Sequence, residues 1–160
     1  MVTDIFHKTP LFRGLSDSQL DLLRPLFVPC DFYTDTMLFE QGDIAEFLYL
    51  VVVGEVVVNF KPDDGPPITV ARVLPGGVVG WSAALGSRTY TSGAVCSMYT
   101  QLLRVRGSDL RRLCEQHTDT GILILDRLAT VIAQRLSNTH EQVMALLSMG
   151  LRSGNHNSGG

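Results

Sequence analysis

The residues able to support covalent or metal chemistry in this chain are scattered along its length. Cys30, Cys96 and Cys114 form no Cys-x-x-Cys pair, and His7, His117, His140 and His156 stand at no metal-ligand spacing. No metal site follows, and the thiols are expected to be buried and reduced. Glu40, Asp43, Glu46 and Glu55 fall at turns and strand ends with no histidine beside them. That pattern fits loop capping and gives no general acid–base pair. A nucleophile elbow and a P-loop are both missing. The expected class is a non-enzymatic binding or regulatory module.

Composition narrows the setting. At 160 residues the chain has room for one domain with a real core. It is 45% hydrophobic and 18% charged, with net charge −3. No apolar run reaches the ~18–20 residues of a spanning helix, so no membrane segment is predicted. The opening MVTDIFHKTPLF lacks the basic and apolar regions of a signal peptide, which places the protein in the cytoplasm as an expectation. No basic run marks a nucleic-acid surface.

The elements that would position any site change character twice. Residues 2–27 read as helical: Ser16 can cap a helix carrying Leu20, Leu22, Leu23 and Leu26, with Asp17 and Asp21 near its positive end. Ile5, Phe6, Leu11 and Phe12 precede it, but Pro10 limits them to a short helical turn. Residues 28–105 break into short apolar or β-branched runs punctuated by Asp, Gly and Pro. The predicted strands are 32–33, 37–39, 47–53, 55–60, 68–74, 91–97 and 101–105. The run 48–58 is so apolar that it must be buried on both faces or sit in a closed roll. The segment Lys61-Pro62-Asp63-Asp64-Gly65-Pro66-Pro67 is a hairpin tip. Helical period returns after Arg106: Ser108-Asp109 opens a short helix, then Ile122, Leu125, Leu128, Ala129, Ile132, Leu136, Val143, Leu146 and Leu147 form one apolar stripe. The folded domain is expected over 1–149, with the Gly/Ser/Asn-rich 150–160 as a disordered tail.

Several ordered motifs carry a family resemblance. Leu11-Phe12-Arg13-Gly14-Leu15-Ser16 leads the set, and Phe39-Glu40-Gln41-Gly42-Asp43 follows, then Phe47-Leu48-Tyr49-Leu50-Val51-Val52-Val53-Gly54-Glu55-Val56. Leu74-Pro75-Gly76-Gly77-Val78-Val79-Gly80 and Gln101-Leu102-Leu103-Arg104-Val105 complete it. Over residues 5–147 the chain resembles the cyclic-nucleotide-binding domains of bacterial catabolite-activator-like sensors. The resemblance implies an α+β fold: an antiparallel β-roll, or jelly roll, flanked by N-terminal helices and a C-terminal helix pair. It also places a phosphate-binding cassette after Gly80, where glycine lets the backbone approach a ligand.

The cassette departs from the family pattern. In binding members the glycine is followed by a Glu that holds the ribose hydroxyl, and an Arg some ten residues later pairs with the cyclic phosphate. Here Trp81 stands at the Glu position, and Tyr90 or Thr91, depending on register, at the Arg position; Ser92 matches the small or hydroxyl residue that follows. A charge-assisted bond to phosphate is worth roughly 1.5–3 kcal/mol, so losing both contacts lowers affinity by about two to four orders of magnitude unless something compensates. Two compensations are available: backbone N–H groups of a short helix at Ser82 and Ala83, and a swing of Arg88. Trp81 is expected to plug the unused pocket; the alternative is a platform that stacks another flat ligand, with Tyr90 as a second wall. The candidate ligand residues are thus Gly80, Trp81, Ser82, Ala83, Arg88, Tyr90, Thr91 and Ser92. No cofactor is expected beyond a weakly held cyclic nucleotide. The alternative to a sensor with an altered pocket is a pseudo-sensor that acts by protein contact.

Family members often dimerise through the long C-terminal helix, and the resemblance carries that expectation here. Leu125, Leu128, Ile132 and Leu136 would share the main face. Val131, Arg135 and Thr139 lie off it, leaving Val143, Met144 and Leu147 as dimer anchors. Bacterial relatives also append a winged helix, but the few residues after the long helix hold no recognition helix, so DNA binding is not expected of this chain.

Overall fold

The computed structural model describes the backbone of residues 2–158, and the side chains of these except residues 2–4, 139, 142, 143, 146 and 149–158. Helix α1 (Val2–Lys8) and a 3-10 turn (Pro10–Phe12) lead into α2 (Asp17–Leu23). Ser16 begins α2 with a full capping box: its hydroxyl accepts from the Gln19 backbone N–H at 3.2 Å, and the Gln19 side chain accepts from the Ser16 N–H at 2.9 Å. The segment before Pro10 is more than the expected turn. Phe6, Phe12 and Phe27 pack ring on ring with centroids 5.3–5.8 Å apart, so burial of three aromatic side chains holds a seven-residue helix in place.

Eight strands follow: β1 (Val28–Phe32), β2 (Met37–Phe39), β3 (Phe47–Val53), β4 (Val56–Phe60), β5 (Ile68–Val73), β6 (Val78–Val79), β7 (Gly93–Cys96) and β8 (Thr100–Arg106). They form two four-stranded antiparallel sheets, β1-β8-β3-β6 and β2-β7-β4-β5, the α+β jelly roll that the sequence motifs imply. Strand β3 shows why its sequence is unbroken apolar. Leu48 and Leu50 face the helices, while Tyr49 and Val51 face the opposite sheet, and all four are buried. Gly54, at φ +101°, turns the chain from one sheet to the other; a methyl group there would sit 2.5 Å from the Thr100 hydroxyl.

Three differences from the sequence reading matter for the site. The first strand is 28–32, where pairing with β8 extends it beyond Phe32 towards the N-terminus, and Tyr33 lies outside it. Strand β6 was not expected; its two residues pair with Tyr49 and Leu50 and aim the chain at the short helix α3 (Trp81–Leu85). The third concerns α5 (Thr118–Ser158), which follows α4 (Gly107–Gln116). The line of α5 that covers the roll is Ile124, Leu128 and Val131, with Arg135 next along it. Leu125 and Leu136, expected on the same face as Leu128, are 50% and 62% exposed. Residues 122–132 of α5 are apolar at all but Asp126, Arg127 and Thr130, and packing against α4 and the N-terminal turn selects one line. The helical backbone continues to Ser158, through the segment whose composition suggests a disordered tail. The proposed anchor Val143 and the seam residue Thr139 have side chains outside the described residues.

Candidate functional site

The cassette is built at the exit of β6. Gly80 caps α3 in the left-handed region at φ +82°, and a Cβ there would lie 2.7 Å from the Phe47 carbonyl oxygen and 3.2 Å from the Tyr90 ring. Close packing inside the protein therefore demands glycine at this position, whatever a ligand requires. Helix α3 is fixed from behind: Ser82, Ala83 and Ala84 are buried, and the Arg111 guanidinium donates to the Ala83 carbonyl.

Tyr90 is a structural residue of the roll. Its hydroxyl donates to the Phe47 carbonyl at 2.5 Å and accepts from the Phe47 N–H at 3.0 Å. Its ring stacks on Phe39 with centroids 3.7 Å apart and planes at 14°. Burial pushes its phenol above the ordinary range, so it remains a neutral donor at pH 7. Tyr90 is thus committed to Phe47, and Thr91 follows it on the exposed side of the cassette.

Gly80, Trp81, Ser82, Tyr90, Thr91 and Ser92 converge on one cavity, together with Phe39, Val58 and Arg135. Its volume is about 20 Å³, enough for one water and far below a nucleotide. Two of the candidate residues do not reach it. The Ala83 side chain is buried beneath α3, and Arg88 is exposed, with its backbone carbonyl accepting from the Ala45 N–H at 2.9 Å. The cation at the cassette comes instead from α5. The Arg135 guanidinium carbon lies 4.5 Å from the centroid of the Trp81 ring, and Nη2 donates to the Val78 carbonyl at 2.8 Å. Burial lowers its pKa to about 10, which leaves it charged at neutral pH.

Sequence reasoning set Arg135 off the main stripe and outside the site. A charged residue on a surface helix is ordinarily solvated, and its aromatic partner lies 54 positions earlier in the chain. The usable signal was its spacing of four from Val131, which continues the roll-facing line. Trp81 itself is partly buried against the helical core and carries Arg135 on its face.

The other candidate groups are accounted for structurally. Asp43 accepts from the Glu40 N–H at 2.8 Å, Glu46 pairs with Arg106, and Glu55 accepts from the Ser97 hydroxyl at 2.6 Å and pairs with Arg72 at 3.1 Å. The Ser97 hydrogen bond, with Arg72 second, holds the Glu55 carboxyl below its ordinary pKa. Burial raises all three cysteine thiols, the opposite of nucleophile activation. Among the described residues no cluster of His, Cys, Asp or Glu could hold a metal ion, and no helix is long and apolar enough to cross a membrane.

Comparison with known proteins agrees with this architecture. The family model for the cyclic nucleotide-binding domain matches residues 29–117. The cyclic AMP receptor protein of Thermus thermophilus is 30% identical over 128 residues, 80% of this chain and 57% of that protein, so the chain spans little more than half of this relative. The crystal structure of the Thermus thermophilus catabolite activator protein superposes with a TM-score of 0.72 at 29% identity, covering 88% of this chain and 63% of that one. A cyclic nucleotide-binding domain from Methylobacillus flagellatus shares the fold at 22% identity, with a TM-score of 0.78 over 89% of this chain and 80% of its own. On the matched motifs, the two-sheet roll and these likenesses, the chain belongs to the cyclic nucleotide-binding domain family.

Proposed function

We propose that this chain is a non-catalytic regulatory module in which the cassette does not hold cyclic nucleotide by the family's charged contacts, and α5 carries the output. The observation that supports this most is the cavity itself. Where a nucleotide would lie there is room for about one water, walled by Trp81, Tyr90, Thr91 and Arg135. Trp81 offers no acceptor for a ribose hydroxyl, and Thr91 no cation for a phosphate. Calorimetric titration with cyclic AMP and cyclic GMP at pH 7 tests the reading. Dissociation constants weaker than about 10 μM are expected; a tighter one overturns it.

The surface of α5 supports a dimeric output. Ile122, Leu125, Ala129 and Leu136 are exposed and recur at alternating steps of three, four and seven, the a/d spacing of a helical seam, and Met144 and Leu147 extend the apolar surface. Beside this line an open apolar cavity of about 260 Å³, walled by Leu85, Leu110 and Leu125, continues the surface on to the cassette helix. Two copies pairing here would bury on the order of 800 Å² each, the usual size of a stable interface. Light scattering should then give twice the 17.5 kDa chain mass, and truncation before Glu141 should return a monomer.

A further inference from the structure

A flat cation from α5 completes the wall of the cassette cavity. The guanidinium of Arg135 faces the Trp81 ring at 4.5 Å and donates to the Val78 carbonyl at 2.8 Å, and Arg135 lines the same cavity as Ser82, Thr91 and Ser92. Two elements of a site for a planar cation are present, an aromatic face and a backbone carbonyl that accepts from the guanidinium N–H. Among the described residues lining the cavity, none other than Arg135 carries a charge.

We propose that Arg135 is a tethered occupant of the cassette, latching α5 over the roll, and that the site recognises guanidinium-type planar cations. The inference rests on the reading that the cassette has exchanged its anion-binding groups for uncharged ones. It adds what they now bind and how that regulates α5. The same side chain joins α5, which carries it, to α3 through Trp81 and to β6 through Val78. Any ligand that enters the cassette must displace it, and any force that shifts α5 must withdraw it. Cassette occupancy and helix position are thereby linked through one side chain. Burial leaves the group charged at neutral pH, so the contact persists there.

Trp81 is the protein's single tryptophan, so its fluorescence reports the latch without a label. The measurement is acrylamide quenching of the full chain without nucleotide, which keeps its outcome separate from that of the nucleotide titration. Arg135→Met keeps the aliphatic stem and removes the guanidinium. It should red-shift the emission and raise the quenching constant about twofold, as half-buried indole becomes accessible. Methylguanidinium at ~50 mM, above the effective concentration of a short tether, should return the quenching of Arg135→Met towards the parent value. Arg135→Lys, which keeps the charge without the planar fork, should resemble Arg135→Met. Circular dichroism identifies a misfolded variant; Arg135→Gln, which shortens the side chain and removes the charge, then takes its place and should likewise raise the quenching constant. Unchanged quenching in both variants overturns the latch. Exposure of Trp81 that methylguanidinium does not reverse overturns the guanidinium as the recognised group.

Discussion

Ile124 and Leu128 of α5 are each 1% exposed, whereas Leu125, one residue after Ile124, and Leu136, about three turns beyond it, stand 50% and 62% exposed. The two lines share residue types and helical period, yet one closes the core beneath the cassette helix and the other faces outward. The difference teaches that hydrophobic period fixes where a helix is amphipathic but not which of two apolar lines meets the body of the fold. Here α4 and the N-terminal turn decide it, and the inward line then delivers Arg135 to Trp81. The outward line is the one proposed to meet a second copy.

Substitutions on the two lines sharpen this contrast. Leu128→Ala removes a fully buried side chain from the helical core and should cost about 3 kcal/mol in chemical denaturation. A loss below about 1 kcal/mol would mean that α5 does not pack as described. Trp81→Ala should cost about 2 kcal/mol, less than a full plug, because the ring is only partly buried and one face meets Arg135. Near-equal denaturation midpoints would show that Trp81 contributes no packing. Leu136→Lys lies on the outward line and should change the stability of the isolated protomer by no more than about 0.5 kcal/mol. Its effect should appear in light scattering instead, as a fall from twice the chain mass to once. A destabilised monomer would place Leu136 in the core.

Much of the fold is legible in the sequence because its signals are local. The Ser16–Gln19 box, the turn at Gly54 and the doubly buried run of β3 each follow from neighbouring residues. Strand β6 is not, since two residues carry no period and only pairing with Tyr49 and Leu50 makes them a strand. The cassette divides in the same way. Gly80, Trp81, Ser82, Tyr90, Thr91 and Ser92 lie close enough in sequence to be read together, and the structure gathers them. Tyr90 is held by a hydroxyl bonding a backbone 43 residues away, and the cation on Trp81 comes from 54 residues beyond it. No local pattern encodes either contact.

The central claim is that the cassette keeps its scaffold and has changed its chemistry. The most direct measurement is cyclic AMP calorimetry on the parent and on the double variant Trp81→Glu, Thr91→Arg, side by side. These two substitutions return an acceptor for the ribose and a cation for the phosphate to a backbone already shaped by Gly80. The account predicts a parent constant weaker than about 10 μM and a double variant about 100-fold or more tighter, equivalent to roughly 2.7 kcal/mol. A parent that binds cyclic AMP as tightly as the double variant would contradict it.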